Sequence, residues 1–215
     1  MKIATQRIGA GVQVLLPALS CAVLFCSCFL MRSAPPPAPP DPWRTRPKMP
    51  MSEDFMRSRG GDIMVFLPKN WFVINTENAM SGDIAGVAVN PPYTASLILH
   101  MIRENESVKT RLRREGLGGL ARAVFEQRMA KAPSTLKLLK VVDTLEYAGK
   151  NFGYYEFTTD TSGVPAVIMR SAVCRSSANF LYEISLVPTP VTASNQPTQD
   201  ELDSLFQSVL VTALF

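Results

Sequence analysis

Histidine and cysteine are almost missing from the body of this 215-residue chain. There is one histidine, His100, and of the four cysteines three (Cys21, Cys26 and Cys28) stand within eight positions near the N-terminus. Cys174 is the only cysteine left for the rest, so no disulfide can close inside it. One His and one Cys also exclude a His/Cys cluster of the kind that holds zinc or another transition metal. A surplus of charge is missing too. The net +4 belongs to residues 1–51, with six Lys/Arg against one Asp, whereas residues 52–215 carry 16 Lys/Arg against 17 Asp/Glu. The basic balance therefore points to no nucleic-acid partner. Nor is there a Gly-x-Ser-x-Gly elbow or a Gly-x-Gly-x-x-Gly phosphate loop. Gly116-Leu117-Gly118-Gly119 has the composition of such a loop but follows a charged stretch, and it reads as a flexible start to a helix.

What the chain does have is a long apolar run at its start. Lys2 and Arg7 precede Ile8–Met31, 24 residues interrupted only by Gln13 and two serines. A basic start before an apolar run is an export signal, which places the remainder outside the cytoplasm. Three outcomes fit. The run is long enough to span a bilayer at about 1.5 Å per residue and stay as an anchor. It could be cleaved as a simple signal. Or Leu24-Phe25-Cys26-Ser27-Cys28 is a lipobox of the bacterial type, with small Ser27 before a Cys28 that becomes lipidated. Cys21 is the second choice, with Pro17 close before it. Cys26 is the poorest, since bulky Phe25 precedes it. The lipobox leads, and both it and the anchor leave the chain attached to a membrane.

Eight of the sixteen residues from Pro35 to Pro50 are proline. Such a stretch favours polyproline II, and at about 3.1 Å per residue it spans on the order of 50 Å, a spacer between bilayer and domain. The expected organisation is a signal or anchor over 1–31, a Pro-rich tether over 32–58 and one domain over 59–215.

Within that domain strand signals dominate. Asp62 to Leu67 is an apolar run closed by Pro68, and Trp71 to Ile74 resumes it after a turn in which Asn70 suits the left-handed conformation. Ile84–Val89 and Ala95–Ile102 flank the loop Asn90-Pro91-Pro92-Tyr93. The period then changes. Leu117, Leu120, Val124, Phe125 and Met129 share a face of a helix over Glu115–Ala132, with Arg122, Glu126 and Arg128 mainly on the other, until Pro133 stops it. Leu136–Tyr147 and Gly153–Thr159 read as a hairpin. Val164–Cys174 follows, and then a strand in which Phe180, Tyr182, Ile184 and Leu186 alternate with Leu181, Glu183, Ser185 and Val187. Thr198-Gln199-Asp200-Glu201 is a capping box that opens a last helix. The order predicts an α+β sandwich, an antiparallel sheet covered by helices, preceded by the N-terminal apolar segment.

A resemblance supports this. The run Leu67-Pro68-Lys69-Asn70-Trp71 resembles the opening of the PsbP/DcrB-like superfamily, with Asn70 where a glycine is usual. A central helix before a four-strand meander, and a last helix running through Ser208 to Phe215, resemble it as well. The resemblance covers about residues 60–215 and implies an α/β/α sandwich. Members of that superfamily serve different partners and share no catalytic residues, so it implies no activity.

Candidate chemistry is sparse. His100 lies among Ile98, Leu99, Met101 and Ile102 and reads as structural. Cys174 reads as a small buried hydrophobe. Lys109–Arg114 is a basic cluster that reads as a solvated loop or first helical turn, or else as a contact for acidic head groups. The expectation is a non-catalytic, membrane-tethered extracytoplasmic protein, without cofactor or metal, that binds or supports another envelope component. The alternative is a carrier or chaperone for a lipid or apolar peptide, and a hydrolase comes third.

Overall fold

A computed structural model describes residues 45–74, 82–131, 136–159, 166–189 and 197–215. The apolar run, both lipidation candidates and most of the proline stretch lie outside the described residues. Residues 41–215 form one compact unit.

Its centre is a seven-stranded antiparallel sheet in the order β3-β4-β5-β9-β8-β7-β6. The strands are β3 (Phe72–Ile74), β4 (Ile84–Val89), β5 (Ala95–Met101), β6 (Leu136–Tyr147), β7 (Lys150–Thr159), β8 (Ile168–Arg175) and β9 (Leu181–Pro188). The final strand of the meander, β9, pairs with β5 along its length, from Ala95↔Pro188 to Met101↔Tyr182. This one ladder joins the two halves of the domain. Several turns follow from local chemistry. Asn70 adopts φ 69° after Pro68. In the loop after β4, Asn90 Oδ1 accepts hydrogen bonds from Thr94 N at 2.9 Å and Ala95 N at 3.0 Å. Ala148 and Gly149, both at positive φ, join β6 to β7 in a two-residue turn.

The first apolar stretch does not enter this sheet. Strand β2 (Met64–Pro68) pairs with β1 (Met51–Arg57) in a separate antiparallel hairpin. Strand β1 lies inside the range read as tether, so the ordered domain begins earlier than residue 59; already at Lys48, the backbone N–H donates to Ser208 Oγ at 2.8 Å. The proline density hid a strand whose buried contribution is chiefly Met56. The hairpin turns Met56, Ile63, Val65 and Leu67 inward, and with helix α2 (Gln199–Thr212) it covers one face of the sheet.

Helix α1 (Glu106–Lys131) covers the other face, through Val108, Leu120, Val124 and Phe125 against Tyr155, Phe157, Met169 and Val173. It begins nine residues before the expected start at Glu115. Asn105 Oδ1 accepts the Val108 N–H at 2.9 Å as its cap, and the Lys109–Arg114 cluster forms helix rather than loop. Gly116 then breaks the helix at φ 65°, ψ −151°, a region open essentially to glycine alone. The glycines here serve close approach. A Cβ on Gly118 would stand 2.7 Å from Asp143 Cα, and one on Gly153 would overlap the Leu117 carbonyl.

The capping box of α2 forms as its sequence implies: Glu201 N donates to Thr198 Oγ1 at 3.2 Å, and Thr198 N to Glu201 Oε2 at 2.7 Å. At the other end Lys150 Nζ donates to the Val211 and Ala213 carbonyls, both at 2.7 Å. A cation there satisfies otherwise unpaired carbonyls and complements the helix dipole. Arg170, buried in β8, ties the same helix to the sheet through Asp203 at 2.5 Å and Gln199 at 2.9 Å. On β9, Tyr182, Ile184 and Leu186 are core as expected, but Phe180 is 51% exposed. It precedes the strand, in the turn closed by Ser176 N to Phe180 O at 2.9 Å.

Candidate functional site

Three features stand out: a charged cluster beneath α1, a buried thiol, and an apolar edge on the sheet. The cluster centres on Glu183, which is 1% exposed. Period-2 alternation places it opposite the Tyr182/Ile184 face, and it is buried there because α1 covers that face as well. Arg128, expected on the polar side of the helix, turns inward and brings Nη2 to 2.8 Å from Glu183 Oε1, with its guanidinium 5.0 Å from the Phe157 ring centroid. The Tyr155 hydroxyl donates to the same oxygen. Beside them the hydroxyls of Ser171 and Ser185 hydrogen-bond at 2.7 Å. Burial alone would push the Glu183 carboxyl up. Arg128, Tyr155 and Ser171 outweigh it and hold the group below the ordinary carboxylate range.

His100 is the cross-strand neighbour of Glu183. Its Nδ1 is buried, has no hydrogen-bond partner among the described residues, and lies 3.9 Å from Glu183 Oε2. Burial lowers the imidazole pKa, with Glu183 and Asp83 opposing. The local hydrogen bond expected of a structural histidine is therefore not made at Nδ1. Nothing in the sequence pointed to Arg128 and Glu183 as partners. They are 55 positions apart, and Arg128 reads as part of the polar side of its helix.

Cys174 is free and fully buried in the layer under α2, where burial pushes its thiol pKa up to about 12. A group so protonated at neutral pH is a poor nucleophile. Among the described residues no three His, Cys, Asp or Glu side chains group as metal ligands would. Cys28 and Cys21 lie outside the described residues. No helix among the described residues is long and apolar enough to cross a membrane.

The third feature is β3. Among the described residues it ends the sheet and pairs only with β4, and Phe72, Val73 and Ile74 are 40%, 46% and 37% exposed. Tyr93, 61% exposed, sets its ring against Phe72 in a T-shaped contact, centroids 5.8 Å apart.

Taken together, the layers define an α+β domain with a large antiparallel sheet and two helices. The fold is PsbP-like. Solved structures similar to it include cyanobacterial PsbP (CyanoP) from Synechocystis sp. PCC 6803, at 14% identity and a TM-score of 0.54, covering 74% of this chain and 90% of that one. The Ran-binding protein Mog1p of Saccharomyces cerevisiae is also similar, at 16% identity and a TM-score of 0.50, covering 76% of this chain and 95% of that one. At these identities the likeness is one of fold. No family model matches the sequence, and no curated protein matches it.

Proposed function

We propose that this chain is a non-catalytic, membrane-tethered extracytoplasmic protein whose domain docks another envelope protein along the β3 edge of its sheet. The observation that carries this reading is the exposure of three consecutive apolar residues on an edge strand. An edge offers unpaired backbone N–H and C=O groups, and soluble proteins usually guard it with charge or proline. Here the flank is Phe72, Val73, Ile74 and Tyr93, which suits addition of a partner's strand.

Two further facts support the non-catalytic part. The imidazole of His100 faces a carboxylate already engaged by Arg128, and the Cys174 thiol is enclosed. A carrier of lipids or apolar peptides has less support. The clefts between the sheet and its helices measure about 240 and 210 Å³, below the roughly 300–1,000 Å³ of a typical ligand pocket. Attachment rests on the N-terminal sequence, with lipidation at Cys28 as the anchor.

The test is a photo-crosslinking residue at Val73 or Tyr93 in native membranes, with Leu139 on β6 as control. A discrete protein adduct from the β3 positions, absent from Leu139, is expected. Adducts that are indistinguishable among the three positions, or composed only of lipid, would overturn the docking reading.

A further inference from the structure

At the end of the sheet opposite β3, strand β6 opens with Leu136-Lys137-Leu138-Leu139-Lys140. Leu138 lies across from Phe157 and Lys140 from Glu156, so two steps along β6 match one along β7, and Leu139 is the extra residue of a β-bulge. Leu138 and Leu139 are 38% and 44% exposed. Lys137 is exposed beside them, and the Lys140 side chain is 58% exposed. Leu136 and Val141 instead pack under α1 with Met129. They hold the strand in place and leave the leucine pair open.

The charge around the pair is one-sided. From Gln127 to Val142 the sequence holds Arg128, Lys131, Lys137 and Lys140 and no Asp or Glu. Arg128 is engaged by Glu183. Across the ladder, Leu136, Lys137 and Leu138 meet Thr159, Thr158 and Phe157, all uncharged. Among the described residues the only carboxylate opposite the segment is Glu156, which stands 3.9 Å from Lys140 and already accepts the Tyr154 hydroxyl at 2.6 Å. Asp143 and Asp203, further along, are engaged by Arg122 at 2.7 Å and Arg170 at 2.5 Å. Lys131, exposed at the end of α1, lies five positions before Leu136. Three lysines thus stand against one carboxylate. The Lys109–Arg114 cluster has no such surplus: Lys109 faces Glu106 at 3.6 Å and Arg111 faces Glu126 at 3.0 Å, and no apolar residue is exposed among them.

Lysines and a bulge guard a sheet edge against another strand, so this end does not suit the strand addition read at β3. What it offers is side chains, two leucines flanked by amines. That pairing suits the boundary of a bilayer, where apolar groups enter at the level of the headgroups and cations meet anionic lipid. We propose that the Lys137–Lys140 bulge lays the domain on an anionic bilayer, with Leu138 and Leu139 entering the headgroup boundary and Lys131, Lys137 and Lys140 facing lipid phosphates. The inference rests on the membrane attachment proposed above. A Pro-rich spacer reaching on the order of 50 Å is long enough for this corner to meet the surface. Because β3 and β6 are the two ends of one sheet, six strand spacings of roughly 4.8 Å apart, this orientation holds the β3 edge away from the lipid and open to a partner. Each lysine contributes roughly fivefold to binding at an anionic surface. That contribution fades as the Debye length falls from about 8 Å at 0.15 M salt to about 3 Å at 1 M.

The test uses the full chain with ¹³C-labelled Leu methyls. It is placed in nanodiscs of phosphatidylcholine alone, and of phosphatidylcholine and phosphatidylglycerol at about two to one, each with a lipid spin-labelled in the acyl chain near the headgroup. Relaxation enhancement at Leu138 and Leu139 is expected in the phosphatidylglycerol discs, reversed by about 1 M salt. Leu214, which is 48% exposed but bridges to Met64 of the hairpin, should show little. Lys137→Gln/Lys140→Gln should cut the enhancement at both leucines at least fivefold, and Leu139→Ser should cut it at Leu138, with the other methyl signals in place. A photo-crosslinker at Leu139 should capture lipid and no protein. A chain that separates from the phosphatidylcholine discs on gel filtration ends the attachment reading alone, and free chain mixed with the phosphatidylglycerol discs then gives the same readout. The proposal is overturned by no enhancement at Leu138 and Leu139 in those discs, by equal enhancement at Leu214, by an unchanged signal in the lysine variant, or by a protein adduct at Leu139.

Discussion

Glu183, Arg128 and His100 show how one buried charge sets the terms for its neighbours. Removing one partner of a buried pair leaves the other uncompensated, at a cost of roughly 3–5 kcal/mol. Arg128 is about one-third exposed, so Arg128→Ala should cost about 3 kcal/mol, at the low end of that range, measured by urea unfolding. The double variant Arg128→Met/Glu183→Leu should recover most of the loss. If it does not, packing rather than charge was lost. His100 acts with the opposite sign to a paired histidine. Its folded pKa lies below the unfolded value of about 6.5, so the unfolded chain binds the extra proton first. Stability should be complete above pH 7 and decline as pH falls from about 6.5 through the folded pKa. His100→Gln should flatten that part of the stability–pH curve, and an unchanged slope would exclude the effect. Trp71 is core, as expected from its place after the Pro68–Asn70 turn. Trp71→Ala should lower stability by about 3–5 kcal/mol, again read from urea midpoints.

At the scale of elements, the glycines around the kink do more than loosen the start of a helix. Gly116 provides the conformation of the break, while Gly118 and Gly153 let α1 lie directly on β6 and β7. Gly153→Ala should push the helix off the strand by overpacking, at a cost of about 2 kcal/mol. The same change at an ordinary strand position would be neutral or favourable, so a stabilised variant in thermal unfolding would contradict the close approach. The early half of α1 was hidden because Lys109–Arg114 bury almost nothing. That half is held by its Asn105 cap, by Val108 buried against the sheet and by Arg111 reaching Glu126 at 3.0 Å, and of these the cap alone is set by immediate neighbours. The β1–β2 hairpin escaped for a related reason. Strand β2 alone reads as an apolar stretch and β1, Met51–Arg57 with three charged residues, reads as polar linker, and only their pairing decides that the two make a sheet of their own.

For the whole molecule, the N-terminal run and the domain carry separate parts of the proposed function. If Cys28 is the lipidated residue, mass spectrometry of the purified protein should find a chain beginning at Cys28 with added acyl mass. A chain that retains Met1 would instead mean an uncleaved anchor. The sequence by itself determined the features governed by neighbours in the chain. These are the left-handed turn at Asn70, the bounds of β4, the hairpin from β6 to β7, the capping box of α2 and the α+β class, because cap, turn and periodicity act over a few residues. Tertiary structure alone decided which surfaces stay open. It buried Glu183, turned Arg128 inward, left Phe180 outside, and exposed Phe72, Val73 and Ile74 on an edge. Burial depends on what packs from across the fold, and α1 reaches β9 from more than fifty positions away.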